Sequence, residues 1–270
     1  MDVLLTGLRI GESPRWHDGR LWLSNWGAQE IVAVTPAGEA DVVVRVDTML
    51  PFSIDWLPDG RLLIVSGPER LLLDGSLATY ADLTGLAGGG FNEIVVDGRG
   101  NAYVNGGNGF EGPWIVALVT PDGAVRQVAD GVAFPNGMAI TPDGSTLIVA
   151  ESYAKRLTAF DIEPDGGLSN RRVWADLGDG VPDGICLDAE GAAWYADVPN
   201  RRCVRVREGG EVLDSVELDR GCFACMLGGE DGRTLFILAA EWLGMANMLD
   251  GPPTGQVVVT RAPAARAGRP

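Results

Sequence analysis

Apolar residues in this chain fall in runs of four to seven, broken by clusters of Gly, Pro, Asp and Asn, and one short unit is written six times. Its template is residues 134–144, Phe-Pro-Asn-Gly-Met-Ala-Ile-Thr-Pro-Asp-Gly: an apolar segment with a polar residue near its start, a Thr-Pro-Asp-Gly turn, then a new strand over 145–150. The turn glycine recurs at Gly19, Gly60, Gly100, Gly144, Gly191 and Gly232, with spacings of 41, 40, 44, 47 and 41 residues. A period of that size predicts one four-stranded blade per repeat. The segments after each glycine (21–24, 62–66, 102–105, 146–150, 193–196 and 235–239) are the six second strands, so six blades are expected.

The last repeat supplies strands near 222–228, 234–240 and 255–260 and is one short. Residues 3–5 precede the first blade and can fill that edge, closing the ring without an unpaired strand. The expected fold is all-β: a six-bladed β-propeller of four-stranded antiparallel blades, closed by the amino-terminal strand. One domain over residues 1–262 is expected, with 263–270, rich in Pro, Ala, Arg and Gly, as a disordered tail.

Seven or eight residues before the turn glycines stand Glu12, Ser53, Asn92, Asn136, Asp183 and Ala224. First strands of propeller blades line the central channel, so these positions form a ring, and five of the six carry a side-chain oxygen. Two carboxylates and two carboxamides facing each other repel or stay unsatisfied unless something positive lies between them. A hard divalent cation with oxygen ligands is the natural occupant; the competing arrangement is a tunnel whose polar lining is satisfied by water. Each polar residue lies in a Gly/Pro context, where a tight backbone turn aims a short side chain inwards.

Composition narrows the partners. With 21 basic against 37 acidic residues the formal charge is −16, and no dense Lys/Arg cluster offsets it, which disfavours nucleic acid and anionic membranes. The amino terminus has no basic segment followed by an apolar core and no stretch approaches the roughly 20 apolar residues of a membrane span, so a cytoplasmic protein is expected. Monomer or weak homo-oligomer is the expected state. Cys186, Cys203, Cys222 and Cys225 are too few and irregular for a disulfide framework and read as reduced thiols.

The motifs Gly11-Glu12-Ser13-Pro14-Arg15-Trp16, Phe91-Asn92-Glu93, Pro135-Asn136-Gly137-Met138, Ala159-Phe160-Asp161 with Leu168-Ser169-Asn170-Arg171-Arg172, and Pro182-Asp183-Gly184 resemble the senescence marker protein/gluconolactonase family over nearly the whole chain. The resemblance implies a six-bladed propeller with one catalytic divalent metal that hydrolyses lactones or related esters. It implies Glu12, Asn136 and Asp183 as metal ligands, Asp183 as the base that activates water, and Asn92 as a fourth ligand or a contact to water and substrate. Ca²⁺ is the first expectation, with Zn²⁺, Mn²⁺ or Mg²⁺ as alternatives. Sugar-lactone members place an Arg two residues before the third-blade Asn; here that place is Gly90, and the following acid is Glu93 rather than Asp. A substrate less polar than an aldonolactone is therefore expected. The alternative is a non-hydrolytic enzyme or binding propeller that uses the same axial metal to polarise a carbonyl.

Aromatic residues beside the ring, Phe52, Phe91, Phe134 and Phe223, each just before a ring position, and Trp26 at the end of a second strand, are expected as pocket walls or, by default for aromatics, as core packing. The apolar segment 241–250, with Trp242, Met245 and Met248, is expected either as a lid on the channel mouth or as packing within the blade. His17 is the only histidine and sits at a turn, so histidine-based hydrolysis is excluded. Cys222 and Cys225 have CxxC spacing but lie on a first strand without a second ligand pair, and are expected to be buried thiols.

Overall fold

The structure, a computed structural model, describes residues 1–109 and 111–270. Six sheets form the blades of a β-propeller. Their innermost strands are Ile10–His17, Phe52–Trp56, Phe91–Val96, Pro135–Ile140, Pro182–Asp188 and Gly221–Gly228. The second strands, Arg20–Trp26, Leu62–Ser66, Ala102–Gly107, Thr146–Glu151, Ala193–Asp197 and Thr234–Ala240, fall where the repeat places them. All six turn glycines have positive φ, between 71° and 87°. At Gly19, Gly60, Gly144 and Gly191 an added Cβ would meet nothing within 4 Å, so glycine is needed there for its left-handed backbone rather than for space.

The amino-terminal strand Asp2–Leu8 pairs antiparallel with Gly255–Arg261 as the outermost strand of the sixth blade, closing the ring. Inner strands and their neighbours are mostly buried, with polar side chains such as Glu12, Arg15, Asp55 and Glu93 set among apolar ones, and the core lies between adjacent blades. One core cluster, for example, joins Cys186 and Trp194 of blade five to Phe236 and Leu238 of blade six and Leu21 of blade one. Helical structure among the described residues is a single 3₁₀ turn, Met245–Asn247, and no helix is long and apolar enough to cross a membrane.

The carboxyl-terminal residues depart from expectation. Instead of a disordered tail, they run beneath the ring: Arg266–Ala267 pair with Leu187 and Asp188 on the free inner edge of blade five, and Arg269 bridges Ile140 of blade four. The Arg266 guanidinium donates to the Trp16 carbonyl at 3.2 Å. Composition misleads here because the segment needs no core of its own; existing strands supply the unpaired backbone groups it satisfies.

Five of the six innermost strands carry a register irregularity at or beside the ring position: between Glu12 and Arg15, Phe91 and Ile94, Pro135 and Met138, Pro182 and Ile185, and Cys222 and Ala224. The strand holding Ser53 is regular. Bulges of this kind re-aim a side chain out of the pleat. The Pro-x-Gly contexts of Asn136 and Asp183 are therefore bulged strands, not the tight turns expected. Their glycines serve close approach between blades: a Cβ on Gly137 would lie 2.5 Å from the Ile185 nitrogen, and one on Gly184 2.6 Å from the Ala224 Cβ.

Candidate active site

The bulges bring Glu12, Asn92, Asn136 and Asp183 to one cavity of about 440 Å³ at the mouth of the channel. That volume is in the usual range for small-molecule sites, roughly 300–1,000 Å³. Asn92 Nδ2 donates to Asn136 Oδ1 at 2.7 Å, and Asn136 Nδ2 donates to Ser152 Oγ at 3.0 Å. Ser53 stands outside the lining and donates to the Asn92 carbonyl at 2.7 Å, so it supports the ring from behind.

The carboxyl groups are electrostatically frustrated. Burial pushes Glu12 well above the usual carboxylate range, and the negative Asp183 and Glu93 add to it, against the Ser13 N–H and Arg15. Asp183 is likewise raised, first by burial, then by Glu93 and Asp197, with no hydrogen bond or cation among the described residues to offset it. Below them, Arg15 is buried, with its guanidinium 3.1 Å from Glu93 and 3.7 Å from Asp55. Burial still raises both of those carboxyls, although Arg15 opposes it. The guanidinium thus donates from its terminal nitrogens to Pro14, Glu93 and Ile94 beneath the ring and does not border the cavity. A buried carboxylate, Glu12, a half-buried one, Asp183, and two carboxamides without a facing protein cation among the described residues make a hard oxygen donor set that fits a divalent ion.

The walls are largely apolar, with aromatic side chains on several sides. Phe134, at φ 53°, stacks on Tyr153 at 4.5 Å, and Trp114 meets both edge-on at 5.8 and 5.6 Å. From the sixth blade, Phe223 and Trp242 meet edge-on at 5.8 Å, and Met245 and Met248 also border the cavity. Trp242 and Leu249 pack as anchors while Met245 stays exposed, so the 241–250 segment both packs on the blade and reaches the mouth. Phe91 borders the cavity but exposes none of its surface, shaping the wall without offering its ring; Phe52 is a core residue away from it. Gly90 also borders the cavity, and a Cβ there would lie 3.1 Å from the Gly67 carbonyl, so the backbone is packed for glycine.

His17 lies outside the cavity, stacked on Trp56 at 4.2 Å. All four cysteines are buried and unpaired, with the Cys222 thiol pushed up to about 12 by burial.

Sequence reasoning missed Ser152, Asn105, Trp114 and Tyr153. Asn105 takes the Glu93 N–H freed by the bulge and donates to the Asn136 carbonyl at 2.6 Å. A signal for two of them was present: five to eight positions after the turn glycine stand Asn25, Ser66, Asn105, Ser152 and Asp197, all buried, a second polar ring on the second strands.

A family model described as SMP-30/Gluconolactonase/LRE-like region matches residues 10–241. The chain is 28% identical over 253 residues to regucalcin of Danio rerio, covering 90% of this chain and 79% of that protein. It is 29% identical over 219 residues to L-arabinolactonase of Azospirillum brasilense, covering 73% and 72% respectively. Its fold is similar to that of a calcium-binding protein, regucalcin, from Agrobacterium tumefaciens, with a TM-score of 0.79 and 22% identity over 98% of this chain and 96% of that one.

Proposed function

The chain belongs to the SMP-30/gluconolactonase/LRE-like family, and we propose that it hydrolyses lactones or related esters less polar than aldonolactones, using one divalent cation. The observation that carries this reading is the gathering of Glu12, Asn92, Asn136 and Asp183 around one cavity whose walls are otherwise largely apolar, with several aromatic rings. The names of its relatives, a lactonase among them, support the reaction class. The calcium-binding description of a structural neighbour agrees with a hard cation.

Glu12, Asn136 and Asp183 would hold the ion, with Asn92 beside them. Bound there, a divalent cation supplies Lewis acidity to the substrate carbonyl and acidifies water. Asp183 accepts the proton of the attacking water; partial desolvation and the negative Glu93 and Asp197 raise its carboxyl and make it a stronger base. Asn92, whose amide has a second proton beyond the one given to Asn136, offers it to the substrate oxygens. Phe134, Trp242 and Met245 bind the apolar remainder, where buried surface contributes about 25 cal/mol per Å². With Gly90 in place of an arginine and Arg15 held below the ring, no guanidinium for sugar hydroxyls lines the cavity among the described residues.

The test is a pH-drop assay on alkyl-, aryl- and polyhydroxylated lactones, with chelator-stripped and metal-reconstituted protein. Metal-dependent turnover with preference for the apolar lactones is expected, and Asp183→Asn should lower kcat by about 10²-fold or more. Full activity in chelator removes the metal from the mechanism. Better turnover of gluconolactone than of apolar lactones defeats the substrate assignment, and silence across the panel favours a binding propeller.

A further inference from the structure

Ser152 ends the second strand region of blade four, just beyond Thr146–Glu151, and borders the cavity while only 6% exposed. Its Oγ lies 2.7 Å from the Pro182 carbonyl oxygen and 3.0 Å from Asn136 Nδ2. A hydroxyl has one proton, and a carbonyl oxygen can only accept. The proton therefore goes to Pro182, and Oγ can meet Asn136 only as an acceptor. The Asn136 amide must then turn its NH₂ to Ser152 and its Oδ1 away. There Oδ1 accepts from Asn92 Nδ2 at 2.7 Å, so the second carboxamide takes its orientation from the first.

The backbone tightens this arrangement. Ser152 N–H donates to the Phe134 carbonyl at 3.2 Å, holding the serine beside the bulge that carries Asn136. Pro182 directly precedes Asp183, so one hydroxyl ties the ring residue of blade four to the strand that delivers the ring residue of blade five. A carboxamide that swings its NH₂ toward a cation repels it and removes a ligand. Without a partner that demands the NH₂, Asn136 can rotate by half a turn at little steric cost.

We infer that Ser152 is a positioning residue: it fixes Asn136, and through it Asn92, with the amide oxygen of Asn136 directed away from the blade wall and available to a divalent cation. The inference rests on the reading of the ring as a cation site. Partners that orient ligands in this way typically change metal affinity by about 10- to 100-fold when lost.

The experiment is calorimetric titration of chelator-stripped protein with Ca²⁺ and, separately, Mn²⁺, for wild type, Ser152→Ala and Ser152→Thr. Ser152→Ala should weaken binding about 10- to 100-fold, while the melting temperature of the metal-free protein stays close to wild type and Ser152→Thr keeps most of the affinity. The Asn136 side-chain amide resonances should shift in Ser152→Ala and stay near their wild-type positions in Ser152→Thr. If alanine does not fold, the near-isosteric pair Ser152→Thr and Ser152→Val isolates the hydroxyl. Equal affinity in wild type and Ser152→Ala overturns the inference, as does a threonine variant that binds as weakly as alanine or valine. Wild-type protein that binds neither ion overturns the cation site itself, and this role of Ser152 with it.

Discussion

Removing the charge of Asp183 should stabilise the metal-free protein while destroying the proposed chemistry, because burial and the negative Glu93 and Asp197 hold that carboxyl above its usual range. A group that binds its proton more tightly when folded adds stability at low pH, and that stability is lost as pH rises from the unfolded value, about 4, through the raised folded one. In chelator, Asp183→Asn should therefore melt several degrees above wild type at pH 7.5, with the difference shrinking at pH 4.5, closer to the unfolded value, as the raised folded value favours the protonated carboxyl. Differential scanning fluorimetry at both pH values measures this, and a difference that does not change with pH contradicts it. Glu151 makes the contrast: burial alone would raise it, but hydrogen bonds from Arg156, Thr158 and the Ala133 N–H hold it below its usual value. Glu151 has its cations built in, whereas Asp183 has none among the described residues.

The elements around the cavity divide binding from chemistry. Bulged inner strands deliver oxygen to the axis, and the aromatic side chains come from neighbouring positions: Trp114 starts a third strand, Tyr153 follows a second strand, and Trp242 opens the segment leading to the 3₁₀ turn. Tyr153 is 57% exposed and stacked on Phe134 beside the cavity, so its ring is open to a bound substrate. Trp242→Ala and Tyr153→Ala should each raise KM for an alkyl- or aryl-substituted lactone by about 5- to 30-fold, the equivalent of about 1–2 kcal/mol of buried apolar contact, with kcat little changed. Steady-state kinetics decides: a fall in kcat at constant KM would place these side chains in the chemistry instead. The same pair should leave the KM for a polyhydroxylated lactone nearly unaltered.

For the molecule as a whole, closure of the ring governs stability. Asp2–Leu8 covers the edge of Gly255–Arg261, and Leu8 is buried against the sixth blade. Deleting residues 1–8 exposes a long unpaired strand, so the melting temperature should fall by about 5–10 °C or the protein should aggregate on heating. Thermal unfolding monitored by light scattering tests it, and a truncated protein that melts like the full chain would show that the sixth blade does not depend on its borrowed strand. The closure also keeps the inner strands in place, and they carry the ring. Truncation should accordingly weaken cation binding as well.

Hydrophobic periodicity and turn chemistry are local, repeated six times, and they determined the blade count, the second strands, the borrowed amino-terminal strand and the ring of Glu12, Asn92, Asn136 and Asp183. Repetition is what made the ring legible, since equivalent positions in a closed array must face one axis. Contacts between non-equivalent positions have no such signature. That Ser152 meets both Asn136 and Pro182, that Arg15 is drawn down to Glu93 and Asp55, and that Phe52 is core while Tyr153 stands at the mouth depends on blade spacing and bulge geometry. The last strand shows the same limit: Arg266–Ala267 is too short and polar to read as an element, and it exists because blade five leaves an inner edge for it to pair with. Local chemistry set the positions, and assembly of the blades set which side chains meet.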